Sequence, residues 1–251
     1  VSRFKGKYIW IIGASFGIGR QLAIDLSKAG AVLAVSGRSK DALDEVVGEC
    51  HREGHLAVVA DTTSQEQLDA AVAELKQQWQ RVDSVIFAAG VYTPMNIDSM
   101  DMAKIEQMIH VNLLGAFKLI QAVYPTLKAQ GHGNLTLTAS VAGYRGLPNG
   151  LGYCASKAGL INLAEEIYTE MKPHGINVQV ITPGFVKTRL TDVNEFNMPM
   201  MISVEKASKA IMKDLMTSRF HIHFPKNFTF IMRIIRHLPY WLFFPAMRNL
   251  R

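Results

Sequence analysis

Tyr153 and Lys157 stand four residues apart, with Ser140 upstream. At helical spacing, residues i and i+4 share a face, so the Lys157 ammonium would lie close to the Tyr153 phenol. A phenol has an ordinary pKa of about 10. A fixed positive charge beside it favours the phenolate and lowers that value. The pair therefore suits a tyrosine that trades protons near neutral pH. Tyr-x-x-x-Lys also describes many solvated helix faces, and its weight here comes from a second motif at the other end of the chain.

Lys7 to Ile12 form a β-rich apolar run suited to a buried strand. Gly13-Ala14-Ser15-Phe16-Gly17-Ile18-Gly19 follows, and then a stretch with helical apolar spacing at Ile18, Leu22, Ala23 and Leu26. Strand, glycine turn and helix start are the context a dinucleotide fingerprint requires. Glycines permit a tight turn and close backbone approach, so amides at the helix start can bind a pyrophosphate. The spacing is G-x-x-x-G-x-G rather than G-x-G-x-x-G, and an ordinary strand-to-helix turn is the plain alternative. The next strand, Ala31 to Ser36, ends in Gly37-Arg38-Ser39. An acid near this point holds the ribose hydroxyls of NAD, whereas an arginine accommodates the extra phosphate of NADP. No carboxylate occurs there before Asp41, and a planar guanidinium suits phosphate. NADP is therefore favoured over NAD, against the alternative that Arg38 is a solvated loop residue.

The 251 residues fit one α/β domain able to bury a sizeable core. No apolar run reaches the ~18 residues of a membrane span, and Tyr8 to Ile12 read as a strand rather than part of a signal peptide. Cys50 and Cys154 have neither disulfide nor metal spacing. No metal site is expected, and a reducing, cytoplasmic location is. The net charge of +6 resides in the tail: after Asp214 come Arg219, Lys226, Arg233, Arg236, Arg248 and Arg251 and no acid. Nucleic-acid binding, which calls for a basic surface on a recognised fold, has no other support.

Strand-like and helix-like segments alternate. Helices are expected at 40–53, 64–80, from about 100 to 128 and at 153–171, and strands at 56–60, 84–88, 134–138 and 177–181. Such alternation implies a parallel sheet with helices on both faces, whose ligands sit at the carboxyl ends of the strands. Gly13, Arg38, Asp61, Gly90, Ser140 and Pro183 all fall at those ends.

On these residues the chain resembles the short-chain dehydrogenase/reductase family, compact subgroup, over roughly Lys5 to Arg189. The resemblance implies a single Rossmann-type, doubly wound domain over 1–225. Ser140, Tyr153 and Lys157 match the catalytic triad, and Asn112, in His110-Val111-Asn112-Leu113-Leu114-Gly115, matches the active-site asparagine. Gly13, Gly17 and Gly19 match the glycine loop, with Ser15, Phe16 and Ile18 around them. Asp61, with Thr62, matches the acid that contacts the adenine region. Ala89, Gly90, Val111, Pro183, Gly184, Val186 and Thr188 complete the cofactor contacts, Pro183-Gly184 and Thr188 lying where the family holds the carboxamide. The pattern departs at Phe87 and Ala88, which replace two asparagines, the second of which braces neighbouring strands in the family. The implied chemistry is carbonyl–alcohol interconversion: Tyr153 exchanges the proton, Lys157 depresses its pKa and binds the ribose, Ser140 orients the substrate oxygen, and Asn112 holds a helix kink and a water. A homodimer or homotetramer through the helices around 102–128 and 153–171 is also implied.

Substrate walls are expected from Tyr92, from Val141, Tyr144 and Leu147, and from a lid at about 185–203 that includes Phe185, Met198, Met200 and Met201. Methionines adapt to irregular apolar space, which suggests an apolar, moderately bulky ketone or alcohol. Phe220 to Phe224 alternate like a final edge strand. Residues 226–251 form an aromatic, basic extension, not an independent domain, in which Pro239 and Pro245 break any helix into short pieces. Three roles stand open for it: peripheral contact with an anionic membrane surface, a cap on the substrate mouth, or a dimer contact. An enzyme is the first reading. A non-catalytic NADP(H)-binding regulator is the second, and a nucleotide-sugar epimerase lacks the chain length for its substrate domain.

Overall fold

Period-two alternation in the strands assigns their side chains to two cores. In β1 (Tyr8–Ile12), Trp10 and Ile12 enter one apolar cluster while Ile9 and Ile11 enter the other. Residues 2–193 and 198–248 of this computed structural model are described. After β1 come α1 (Gly17–Lys28), β2 (Val32–Gly37), α2 (Lys40–Glu49), β3 (Leu56–Val59), α3 (Gln65–Gln78) and β4 (Ser84–Phe87). Then follow α4 (Met102–Ile109), α5 (Gly115–Gln130), β5 (Gly133–Thr138), α6 (Tyr153–Met171) and β6 (Ile176–Pro183). The chain closes with α7 (Val204–Asp214), β7 (His221–Phe224), α8 (Lys226–His237) and α9 (Tyr240–Arg248).

The strands form one parallel sheet in the order β3-β2-β1-β4-β5-β6-β7. Parallel strands buried on both faces need helices on both sides. Leu22, Leu43 and Ile211 carry α1, α2 and α7 onto one face, and Leu68, Leu119, Leu160 and Phe228 carry α3, α5, α6 and α8 onto the other. The fold is thus the Rossmann-type, doubly wound α/β architecture expected from the sequence. The order reverses between β1 and β4, and ligands of open parallel sheets sit at such switch points.

The ends of the strands opposite the glycine loop are pinned electrostatically. Asp83 accepts hydrogen bonds from Tyr8 N at 2.9 Å, Lys7 Nζ at 3.1 Å and Arg81 Nε at 3.1 Å. Burial alone would raise its pKa, but these partners hold it below the usual carboxylate value. Phe87, in place of a family asparagine, is fully buried in the core. At Ala88 the backbone carries the bracing, its N–H donating to Ile12 O at 2.7 Å.

Three local expectations change. The expected helix from 100 to 128 is interrupted by a π-helical turn at His110–Leu114, which separates α4 from α5. The sequence reading assigns no element to 204–214, where the Ser203 side chain caps α7 by accepting from Lys206 N. In the tail, Pro239 separates two helices but Pro245 lies inside α9. A proline there leaves the carbonyl of the residue four positions earlier without its donor, and that residue, Trp241, is solvent-exposed.

His221 and His223 sit side by side on β7, as their alternation predicts, with ring centroids 4.8 Å apart. His221 Nε2 bonds Thr182 Oγ1 at 2.6 Å and Tyr144 OH at 3.1 Å, and His223 Nδ1 bonds Thr229 Oγ1 of α8 at 2.7 Å. Burial, with Arg233 and Lys226 nearby, lowers both imidazoles from 6.5 to about 4. Their folded pKa lies below the unfolded one, so the fold gains from their neutrality above about 6.5 and loses that gain as pH falls toward 4. The urea midpoint is expected to decline through that window, and His221→Gln with His223→Gln should flatten the decline. An unchanged slope in the double variant would sink the assignment.

Candidate active site

The turn from β1 into α1 meets the chain just after β4 at close quarters. A methyl on Gly13 would lie 2.4 Å from Ala89 N, and one on Gly19 would lie 2.3 Å from Gly13 O. Gly13 and Gly17 also take positive φ, of 87° and 59°. The chain can turn this tightly only without side chains at these positions. Phe16, the residue preceding α1, gives no side-chain cap, and the first turn holds no acid. The amides at the helix start therefore form an uncapped, electropositive end suited to an anionic pyrophosphate. That cradle fits a dinucleotide cofactor.

One cleft of about 1010 Å³ runs along the carboxyl ends of the strands. It brings together Gly13, Ser15, Phe16, Gly17, Ile18 and Gly19; Arg38 at the end of β2; Asp61 and Thr62 after β3; and Ala89 and Gly90 after β4. Val111, Ser140, Tyr153, Lys157, Pro183, Gly184, Val186 and Thr188 complete its cofactor half as read from sequence. Tyr92, Val141, Leu147 and Phe185 line it as well. Arg38 is exposed and makes no salt bridge among the described residues. Asp61 Oδ1 accepts from Thr63 N and Thr63 Oγ1, both at 2.8 Å, and is thereby held at the strand end.

Tyr153 opens α6, and Lys157 lies one turn later with its Nζ 5.7 Å from the tyrosine ring centroid. Lys157 Nζ donates to Thr138 O at 2.9 Å. Ser140 Oγ accepts from Ala142 N at 3.1 Å, which caps the short turn at Val141–Gly143. The Tyr92 ring packs on that of Tyr153 with centroids 4.7 Å apart. Asn112 is fully buried, away from the cleft surface. Its Oδ1 accepts from Val91 N at 2.8 Å, and its Nδ2 donates to Val91 O at 2.9 Å and Ser156 Oγ at 3.1 Å. One amide thus ties the π-helical turn both to the loop after β4 and to α6. Single π turns interrupting helices are frequent at functional sites.

The electrostatics differ from the sequence reading. Burial pushes the Tyr153 phenol well above its ordinary value, with the Ser140 side chain acting in the other direction. Burial also lowers Lys157 from 10.5 to about 7. The lysine is not a fixed charge: its hydrogen-bond acceptor is a neutral carbonyl, and a buried ammonium without a counter-ion loses its proton more readily.

Several expected substrate residues lie elsewhere. Tyr144 is buried beneath the cleft, its OH 2.7 Å from Thr182 Oγ1. Met198, Met200 and Met201 do not line the cleft, while Pro199 between them does. The expected lid at 185–203 includes residues 194–197, which lie outside the described residues, as do residues 249–251 of the tail. Two features escaped the sequence reading. Arg189 lies over the Phe16 ring at 3.9 Å, joining the glycine loop to the segment after β6. Phe228, Ile231, Met232 and Ile235 of α8 and Met247 of α9 form a cleft wall. Helix α8 seats so closely on the end of β6 that a methyl on Gly184 would lie 2.6 Å from the Phe228 ring. The tail, for which three roles stood open, thus lines one side of the cleft. The i, i+3, i+4 spacing of Phe228, Ile231, Met232 and Ile235 marked an apolar face, but sequence alone could not say what it covers.

A profile of the family described as short chain dehydrogenase matches residues 7–198. An oxidoreductase of Myxococcus xanthus is 30% identical over 243 residues, covering 96% of each chain. Human 17-beta-hydroxysteroid dehydrogenase 13 is 26% identical over 239 residues, 93% of this chain and 80% of its own. Among solved structures, a short chain dehydrogenase of Burkholderia cenocepacia in complex with NADP superposes with a TM-score of 0.82 at 23% identity, covering 93% of this chain and 94% of the other.

Proposed function

The chain belongs to the short-chain dehydrogenase family, and from that membership we propose that it is an NADP(H)-dependent oxidoreductase interconverting a ketone and a secondary alcohol on an apolar, lipid-like substrate. Membership makes it an NAD(P)-dependent enzyme acting on CH–OH groups. The observation that carries the finer reading is the convergence of Ser140, Tyr153 and Lys157 with the glycine loop in one cleft.

When bound, the nicotinamide supplies or accepts the hydride. Ser140 Oγ–H hydrogen-bonds the substrate oxygen and orients it beside Tyr153. The phenol, kept protonated by burial, donates its proton to that oxygen during reduction and takes it back during oxidation. Lys157 would hold the ribose hydroxyls, and in its charged form would ease proton release by Tyr153. Asn112 acts through position, holding Val91 and the start of α6 in place.

Arg38, exposed at the end of β2 with no carboxylate paired to it among the described residues, supports NADP over NAD, as does the NADP complex of the Burkholderia relative. Arg38→Ala is expected to raise the KM for NADPH about 10- to 100-fold, the worth of a charge-assisted phosphate contact. The KM for NADH should stay within about two-fold. Equal losses with both coenzymes would remove Arg38 from phosphate recognition.

The apolar wall of Phe228, Ile231, Met232 and Ile235 supports a bulky apolar substrate, in keeping with the steroid dehydrogenase relative. Exposed Met102 and Phe117 on α4 and α5 support subunit pairing through those helices into a homodimer or homotetramer. The two free cysteines suit a reducing, cytoplasmic setting.

A further inference from the structure

Helices α8 and α9 carry more apolar surface than the fold buries. Phe228 and Met232 face inward, yet Phe230 and Ile234 continue the apolar surface onto the outer side of α8. On α9, Tyr240, Trp241 and Phe244 are exposed, Trp241 by 74%. Lys226, Arg233, Arg236 and Arg248 are exposed on the same two helices, and no carboxylate side chain follows Asp214 in the sequence. The nearest acid to Arg236 is Glu165, 3.9 Å away on α6.

The helix pair is anchored to the body. Arg145 lies over the rings of Tyr240 and Phe243, at 4.8 and 4.2 Å, and donates to Arg236 O and Leu238 O at 3.2 and 3.1 Å. The cleft also reaches this face. A side groove of about 350 Å³, walled by Phe243 and Phe244, shares Leu147, Pro148 and Met247 with the main cleft.

We propose that the outer faces of α8 and α9 dock on an anionic lipid bilayer, with the side groove opening toward the lipid. Aromatic residues and arginines on an amphipathic surface are the chemistry of an interfacial helix, and each basic residue adds attraction to anionic headgroups. Among the described residues no helix is long and apolar enough to cross a membrane, so the contact lies in the plane of the interface. A second copy paired through this face would set these cations against their own counterparts, with no acid of the same segment to offset them. Docking stands independently of the oxidoreductase reading, whereas delivery of an apolar substrate through the groove rests on it.

The test uses the full chain with vesicles of phosphatidylcholine alone or mixed with phosphatidylserine. Of the three tryptophans, Trp10 and Trp79 are buried, so a shift in emission on adding vesicles reports Trp241. The expected result is a blue shift and co-sedimentation with the mixed vesicles, both weakened by salt. Arg233→Gln should weaken binding about five-fold. Phe230→Ser with Trp241→Ser should abolish it while NADPH binding, which reports an intact fold, is retained. Vesicle binding without NADPH binding by the parent chain would uphold docking and sink the enzyme reading. Unchanged emission, equal binding to neutral vesicles, or a lipid-free dimer dissociated by Trp241→Ser would overturn the proposal.

Discussion

Tyr153→Phe is expected to lower kcat about 10²- to 10⁴-fold, the usual worth of a positioned proton donor, while affinity for NADPH changes less than about three-fold. The substitution removes one oxygen and little else. The ring still packs on Tyr92, 4.7 Å away between centroids, and the cradle formed by Gly13 and Gly19 is untouched. The buried phenol is protonated at neutral pH, so the variant lacks the proton itself rather than a base. Ketone reduction followed by NADPH absorbance, together with a fluorescence titration of NADPH, separates the two effects. Turnover that survives in the variant would eliminate Tyr153 as the acid. A chain that binds NADPH but turns over no carbonyl in either form would instead favour the regulator reading.

The second large effect is structural. Gly13→Ala places a methyl 2.4 to 2.6 Å from Ala89 N, Ala89 Cα and Ala88 C, all backbone atoms that cannot swing aside. Overpacking of this kind costs about 1–3 kcal/mol, and holding alanine at a φ of 87° adds about 1–2 kcal/mol. A loss of about 2–5 kcal/mol is expected, which lowers Tm by about 5–15 °C in a chain of this size. Relief by outward movement of the loop would also displace the α1 amides, so NADPH affinity should fall with stability. Calorimetry and the same fluorescence titration check both. A wild-type Tm would mean that the turn is looser than the close approach of β1 and β4 implies.

The two outcomes depend on features of different legibility. The glycine loop and the Tyr153–Lys157 spacing are visible in sequence because turns and helices impose short-range rules: a positive φ selects glycine, and i, i+4 side chains share a face. The parallel sheet was legible for the same reason, since strand and helix periods differ and their alternation leaves few topologies. The π-helical turn around Asn112 was not. It is bought by hydrogen bonds from one amide to Val91, 21 positions away, and to Ser156, 44 positions away, and no local pattern records such partners. Tyr144 shows the opposite error: its place after Ser140 suggested the pocket, while Thr182 and His221 draw its hydroxyl beneath it.

By itself the sequence determined which groups meet along the strand ends, since backbone periodicity and turn stereochemistry act over a few residues. Tertiary structure alone decided the charge state of those groups and the wall they face. Burial, which raises Tyr153 and lowers Lys157, depends on how many atoms from distant segments displace water. The seating of α8 on Gly184 likewise depends on where β6 and β7 end in space. An amphipathic tail is compatible with several partners until packing selects one, and here one face of α8 meets the cleft while the other is left outward.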